Sequence, residues 1–344
     1  MGIHSFISWL NDNYKDCKVE FFNYLNRIYD DIYIDMNFII HSCYMSALNE
    51  KDLKFKIFDK IKGYVQTYTP SKNLYLFFDG SSGELKRYTI ENRKKNTMQI
   101  NKDIPTEIFS HSSEFMQSVN NYTKMISTMY LNIKNNVNII VNDSAEFGEA
   151  EIKIAQNIIK NKQKNHKILI ISNDSDSILI SLCNNVNKIY ILNNKDIISI
   201  DKLKKKFTEK YNTNYLDFVV LTLFQGNDYF PKLKYISYNS IWKAYENYIT
   251  YEKIYNKSDL SIYQNGLLTK NFKSFINYLI LCIPPQYKKF KLDTDFIIEN
   301  INKYNYIKMI ELCINLYSTG EYLEEYKKIS YNNIKIHPAV FLFK

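Results

Sequence analysis

Short runs of apolar, β-branched or aromatic residues punctuate the first two hundred positions: Ile32 to Met36, Leu74 to Phe78, Val137 to Val141, Ile168 to Ser172 and Lys188 to Leu192. Each ends in a polar, turn-forming cluster, the signature of a buried strand. Between them the apolar positions take a helical period. Leu53, Ile57, Ile61, Tyr64 and Val65 form one stripe, and Ile152, Ala155, Ile158 and Ile159 another. Continuously apolar strands alternating with amphipathic helices predict an α/β fold, a mainly parallel twisted sheet covered by helices on both faces. The alternation extends to about residue 245, so the expected organisation is a domain over 1–245 followed by a mostly helical part over 246–344.

Carboxylates recur where these strands end. Asp35 closes IYIDMN and Asp79 closes LYLFFDG. Glu149 and Glu151 open the helix in FGEAEIK, Asp174 and Asp176 follow the fourth strand in NDSDSILI, and Asp228 lies in FQGNDYFP. In an open α/β sheet the carboxyl ends of parallel strands share one edge, where ligands bind. Acids far apart in sequence can therefore converge. Any one of them reads equally well as a helix cap or first-turn charge, but seven in this placement do not. Crowded carboxylates repel one another, and a divalent cation removes that cost. Hard oxygen ligands suit Mg²⁺ or Mn²⁺, and a pair of such ions can hold the attacking and leaving oxygens of a phosphoryl displacement. Metal-dependent phosphodiester hydrolysis is the chemistry this set predicts.

Composition narrows the partners. The 344 residues carry a formal charge of +9, which favours a polyanion such as nucleic acid. The charge is concentrated after the second strand, where Glu84 to Lys102 holds six Lys or Arg against two Glu. On a helix, Lys86, Arg93 and Lys94 share a face, either a solvated surface or a phosphate pocket. The five Cys are scattered with no C-x-x-C pair, which predicts reduced thiols in a cytoplasmic protein. No signal peptide is legible, Phe6 occupies the position where a myristoylation signal wants Ser or Thr, and no apolar run is long enough to span a bilayer. A soluble protein is expected. The abundance of Asn, Ile, Lys and Tyr reads as the coding bias of an AT-rich genome.

The same segments resemble the XRN family of 5′→3′ exonucleases. MGIHSFISWLNDNY is similar to the family's start, IDMNFIIHSC to its Asp-Met-Asn segment, and FGEAEIKI to its Gly-Glu-x-Glu block. NDSDSILI resembles its Asp-x-Asp-Leu-Ile block and FQGNDYFPKL its Gly-Asn-Asp-Phe-Leu-Pro block. The resemblance implies a PIN/flap-nuclease-like core in which Asp35, Asp79, Glu149, Glu151, Asp174, Asp176 and Asp228 hold two divalent ions. It also implies that Lys86, Arg93 and Lys94 bind a 5′-monophosphate and that His41 stacks on the first base of a single-stranded RNA. Phe38 stands where the family usually has Gly, Ile90 where it has Gln, and Ala150 and Ile152 where it has Gly and His. A compact relative from a large DNA virus or a protist would fit this composition. Flap-type DNA nucleases share such a core, but the Gly-rich hairpin that follows their last Asp has no counterpart in PKLKYISYNSIWKAY. A non-catalytic nucleic-acid-binding protein on the same fold would be marked by lost metal ligands, and none is lost.

Overall fold

The computed structural model describes residues 3, 5–20, 27–81, 104, 106–126, 137–161, 165–229, 231–255, 259–287, 294–323 and 337–342. In chain order its elements begin with α1 (Phe6–Asn13), β1 (Ile28–Asp35), α2 (Met36–Tyr44), α3 (Glu50–Thr67), β2 (Thr69–Phe77) and α4 (Glu114–Ile126). They continue with β3 (Asn138–Asn142), α5 (Ala150–Asn161), β4 (Ile168–Ile171), α6 (Asp176–Cys183), β5 (Ile189–Asn193), β6 (Asp196–Ser199) and α7 (Ile200–Tyr211). The remainder is α8 (Leu216–Leu223), α9 (Tyr238–Ile254), β7 (Tyr263–Gln264), β8 (Leu267–Leu268), α10 (Asn271–Leu281) and α11 (Thr294–Thr319). None of the helices among the described residues is long and apolar enough to cross a membrane.

Two compact units emerge. The first comprises residues 18–181 and 186–201; the second comprises 1–17, 182–185 and 202–344. The change-over therefore falls near residues 181–202, whereas the sequence suggested a boundary near 245. Helix α9 runs through residue 245 unbroken. The reason lies in its packing: Trp242 and Tyr245 sit among Phe207, Phe218 and Phe275, which ties residues on both sides of 245 into one aromatic core.

The first unit is built on a six-stranded sheet in the order β3-β2-β1-β4-β5-β6. Strands β1 to β5 are parallel, and β6 pairs antiparallel with β5. Every expected strand is present. β6 was not anticipated, although the two-residue turn Asn194-Lys195 before it, with Asn194 at φ 55°, is a hairpin signal. Helix α3 buries Leu53, Ile57 and Ile61, and α5 buries Ile152, Ala155 and Ile158, as their spacing requires. Strand order reverses between β1 and β4, so the crevice beyond their carboxyl ends is the switch point of the sheet.

The amino end of β1 explains why that strand starts earlier than its apolar run. Asp31 is fully buried yet lies in the strand. Its carboxylate accepts from Asn73 at 2.6 Å and meets His166 Nδ1 at 2.7 Å, while Lys72 contacts the other ring nitrogen at 2.9 Å. A buried carboxylate is tolerated only when partnered in this way.

The second unit is mostly helical and aromatic. Trp9 and Trp242 stack at 4.1 Å between centroids, and Phe6 and Phe218 pack edge-on beside them. Its buried Asp217 accepts from Tyr245 Oη at 2.7 Å and from the backbone N–H of Ile262 and Tyr263. That carboxylate joins α8, α9 and the β7–β8 hairpin. Burial outweighs these donors and pushes it up to about 7.

Asp31→Ala would leave His166 and Asn73 facing an apolar gap and should destabilise the protein by about 3 kcal/mol. Urea denaturation monitored by circular dichroism checks it; an unchanged midpoint would show that the buried carboxylate carries no net stability.

Candidate active site

The carboxyl edge of the parallel sheet is where acids selected from the sequence gather, and hydrogen bonds hold several of their carboxylates. Asp35 is the last residue of β1 and the N-cap of α2, its Oδ1 accepting from Phe38 N at 3.1 Å. Its Oδ2 accepts from the Ser172 hydroxyl, just beyond β4, at 3.0 Å. The Ser172 oxygen in turn accepts from Asp174 N at 3.1 Å, and Asp174 Oδ1 accepts from Asp176 N at 3.0 Å. One chain of hydrogen bonds thus links Asp35, Asp174 and Asp176 across the switch point. Asp176 opens α6, where the helix dipole favours a negative charge.

A second set converges on Asp79, just beyond β2. Asp79 Oδ2 accepts from Asn37 Nδ2 at 2.7 Å, and Asp79 N donates to Asn37 Oδ1 at 3.1 Å. Asn37 lies in the first turn of α2, two residues from Asp35, so this pairing couples the β1 and β2 acids. Asp79 Oδ1 also accepts from Ala150 N at 2.7 Å, capping α5 from a different strand. That bond fixes the start of α5, which carries the buried Glu149 and the half-buried Glu151.

The loop feeding α5 is clasped to the chain beyond β2. Gly80 N donates to Gly148 O at 2.8 Å, and Gly148 N donates to Ser81 O at 2.9 Å. Gly148 has φ 106°, which favours glycine. At Gly80 an added Cβ would overlap the carbonyl oxygen of Glu146. From below, buried Lys153 donates to the carbonyls of Asp143 at 3.1 Å and Glu146 at 3.3 Å. Burial pulls its pKa down, opposed by the nearby charges of Glu146, Asp79 and Asp143.

Asp35, Asp79, Glu149, Glu151, Asp174 and Asp176 therefore all belong to the first unit and to one edge of its sheet. Asp228 belongs to the second unit, in the loop after α8. There Gly226, at φ 73°, ends the helix, and Asn227 accepts from Tyr229 N at 2.9 Å while donating to Tyr317 Oη at 3.2 Å. Lys86, Arg93 and Lys94 lie outside the described residues. His41 is exposed on α2, its ring 5.3 Å from that of Phe109 and tilted by 57°. Phe109 rests edge-on against buried Tyr44 at 4.9 Å. Phe38, where the resemblance leads one to expect Gly, keeps its N–H on Asp35 and carries the Lys60 ammonium over its ring at 5.3 Å. Sequence reasoning missed Asn37, Ser172 and Lys153 as supports; the signal was present for Asn37, inside the Asp-Met-Asn segment.

The donor set is all oxygen and acidic, which suits a hard divalent cation in chemistry. Asp35 supports that fit. Burial, with the charge of Asp174 added, outweighs the Phe38, Ser172 and Asn37 donors and pushes it up to about 6. Among the described residues, however, no three His, Cys, Asp or Glu side chains are arranged to hold a metal ion.

A parallel sheet of this order with acids at its switch point defines the PIN-like fold of flap-type nucleases. The catalytic core of Rad2, solved in complex with a DNA substrate, has this fold: the TM-score is 0.53 at 15% identity, over 99% of this chain and 92% of that one. The XRN 5′-3′ exonuclease N-terminus family matches residues 1–195, and the chain belongs to that family. It is similar to 5′-3′ exoribonuclease 1 of Schizosaccharomyces pombe, with 23% identity over 68% of this chain, and to 5′-3′ exoribonuclease 1 of Homo sapiens, with 22% identity over 73%. The matched part spans 22% and 18% of the length of those relatives.

Asp35 provides a direct check. Its folded-state pKa lies above the unfolded value of about 3.9. In metal-free protein, stability is therefore lost as pH rises from about 4 through about 6, and stays at the lower level above that. Asp35→Asn should remove this loss, leaving metal-free protein more stable than its parent at pH 8 and little changed near pH 4. Thermal melting in EDTA across that range measures it; a variant less stable than its parent at pH 8 would contradict the assignment.

Proposed function

We propose that this protein is a metal-dependent 5′→3′ exoribonuclease that hydrolyses 5′-monophosphorylated single-stranded RNA to mononucleotides. The observation that carries the reading is the hydrogen-bonded acid edge at the sheet's switch point, in a chain of the XRN family. Asp35, Asp79, Glu149, Glu151, Asp174 and Asp176 would hold Mg²⁺ or Mn²⁺, in a pair, with Asp228 as the seventh ligand that the family resemblance implies. When bound, such ions activate water and stabilise the departing 3′-oxyanion.

The chain's own residues supply the rest. Asn37, Ser172 and the N–H groups of Phe38 and Ala150 hold the carboxylates at fixed stations, which limits reorganisation as the substrate arrives. Lys86, Arg93 and Lys94 would take the 5′-phosphate, Arg with its two-pronged guanidinium. The exposed His41, backed by Phe109, would stack on the first base in a sequence-tolerant way. A terminal pocket sized for one phosphate would reject caps and triphosphates and measure one nucleotide to the scissile bond.

A flap- or end-specific DNA nuclease is the second reading, favoured by the fold shared with the Rad2 core.

The test is degradation of matched RNA and DNA strands bearing a 5′-monophosphate, 5′-hydroxyl or 5′-triphosphate, with Mg²⁺ or with EDTA. Mononucleotides should appear only from monophosphorylated RNA with metal present. The rate should fall at least about a hundredfold in an Asp174→Ala, Asp176→Ala double variant. Cleavage of branched DNA with no preference for RNA would select the second reading, and equal degradation of triphosphorylated RNA would overturn the proposed pocket.

A further inference from the structure

Helix α2 turns one face to solvent, and a lysine from α3 lies over it. Met36, Ile39, Ile40, Cys43 and Tyr44 are buried, whereas Phe38 and Ser42 are half-buried and His41 is exposed. With about 3.6 residues per turn, the side chains of His41, Phe38 and Ser42 follow one another around this face within an arc of about 100°. Asn37, which holds Asp79 of the acid edge, lies at the His41 end of the arc.

Lys60 stands at the other end. Its ammonium donates to the Ser42 hydroxyl at 2.5 Å and lies 5.3 Å from the centroid of the Phe38 ring. Ser42 is itself oriented: its hydroxyl donates to the Ile39 carbonyl at 2.7 Å, so its oxygen is left to accept from the lysine. The Phe38 ring attracts the cation through its quadrupole, a seat that a Gly in that position would not provide. Lys56, one turn earlier on α3, is already neutralised by Asp52 at 2.9 Å. Lys60 is not. Its neighbours three and four residues away are Lys56, Ile57, Gly63 and Tyr64, so its own helix offers it no carboxylate. Among the described residues no carboxylate pairs with it from elsewhere. An ammonium has three N–H donors. Ser42 takes one, and the others are left for an anion.

We propose that Lys60 binds a backbone phosphate of the strand, on the 3′ side of the scissile bond. The proposal rests on the exoribonuclease reading above and deepens it. Hydroxyl, ring and ammonium make a fixed positive station on the same helix face as the exposed His41. A strand with a base stacked on that imidazole brings phosphates, the one anion it has, alongside. The order around α2 gives the direction. Asn37 marks the acid edge, where the scissile phosphate is held. His41 follows, and Lys60 lies beyond it. A strand leaving the acid edge past His41 therefore meets Lys60 with a later phosphate. The contact is to the backbone and carries no base preference.

Binding of a single-stranded oligouridylate with a 5′-hydroxyl to the full chain in EDTA tests this contact without cleavage and without a terminal phosphate. Fluorescence anisotropy across a range of salt gives the slope of log affinity against log salt. Each phosphate neutralised on a single strand contributes about 0.7 to that slope. Lys60→Gln should lower the slope by about 0.7 and weaken binding about fivefold at about 0.1 M salt. Lys60→Arg, which keeps the charge, should keep the slope. Lys56→Gln, which removes a cation already paired with Asp52, should leave it unchanged. An unchanged slope in Lys60→Gln, an equal fall in Lys56→Gln or in Lys60→Arg, or failure of the parent to bind the strand would each overturn the proposal. Cleavage of monophosphorylated RNA by the parent with Mg²⁺ is measured beside it, so the two readings fail separately. Cleavage with an unchanged Lys60→Gln slope removes the phosphate contact alone. The expected fall in slope without cleavage of any strand upholds the contact and removes the nuclease reading.

Discussion

Carboxylates brought together in a protein repel each other and resist burial, and in this chain they are collected at the one place where a doubly wound sheet leaves an open crevice. Asp35 feels the consequence, since burial and, to a lesser extent, Asp174 push its pKa up to about 6. The fold answers with donors. Asn37, Ser172 and several backbone N–H groups meet the carboxylates from behind, and two glycines allow the loop before Glu149 to lie against the chain beyond Asp79. The sheet, its switch point and the loop clasp together hold like charges at one edge of the first unit.

The opposite end of the same sheet holds another buried carboxylate. Asp31 is more deeply buried than Asp35, and Asn73 and His166 meet its two oxygens, with Lys72 on the far nitrogen of the His166 ring. Asp217, in the second unit, is likewise enclosed by donors from three elements. These two are closed networks. At the carboxyl edge the donors come from the residues that follow the strands: Phe38 and Ser172 to Asp35, and Asn37 and Ala150 to Asp79.

Much of this was legible in the chain. Apolar runs located strands β1 to β5 because a strand covered on both faces tolerates little else, and helical spacing located the buried faces of α3 and α5. The acids were legible because each follows a strand. β1 was read too short because Asp30 and Asp31 interrupt its apolar run, and only the approach of His166 from 135 residues away explains why a charge is tolerated there. The aromatic packing of Trp242 and Tyr245 likewise moved the unit boundary, since residues on either side of a presumed break can share a core that no local signal announces.

Sequence alone settled strands β1 to β5, the buried faces of α3 and α5, the sign of the charge and the residue types that end those strands, because these depend on local periodicity and on side-chain chemistry. The order β3-β2-β1-β4-β5-β6, the pairing of Asn37 with Asp79 and the support of Asp35 by Ser172 came only from the folded chain. They join residues 42 and 137 positions apart. Such contacts exist once parallel strands set distant segments at one edge, and nothing in the neighbouring sequence encodes which distant donor will arrive.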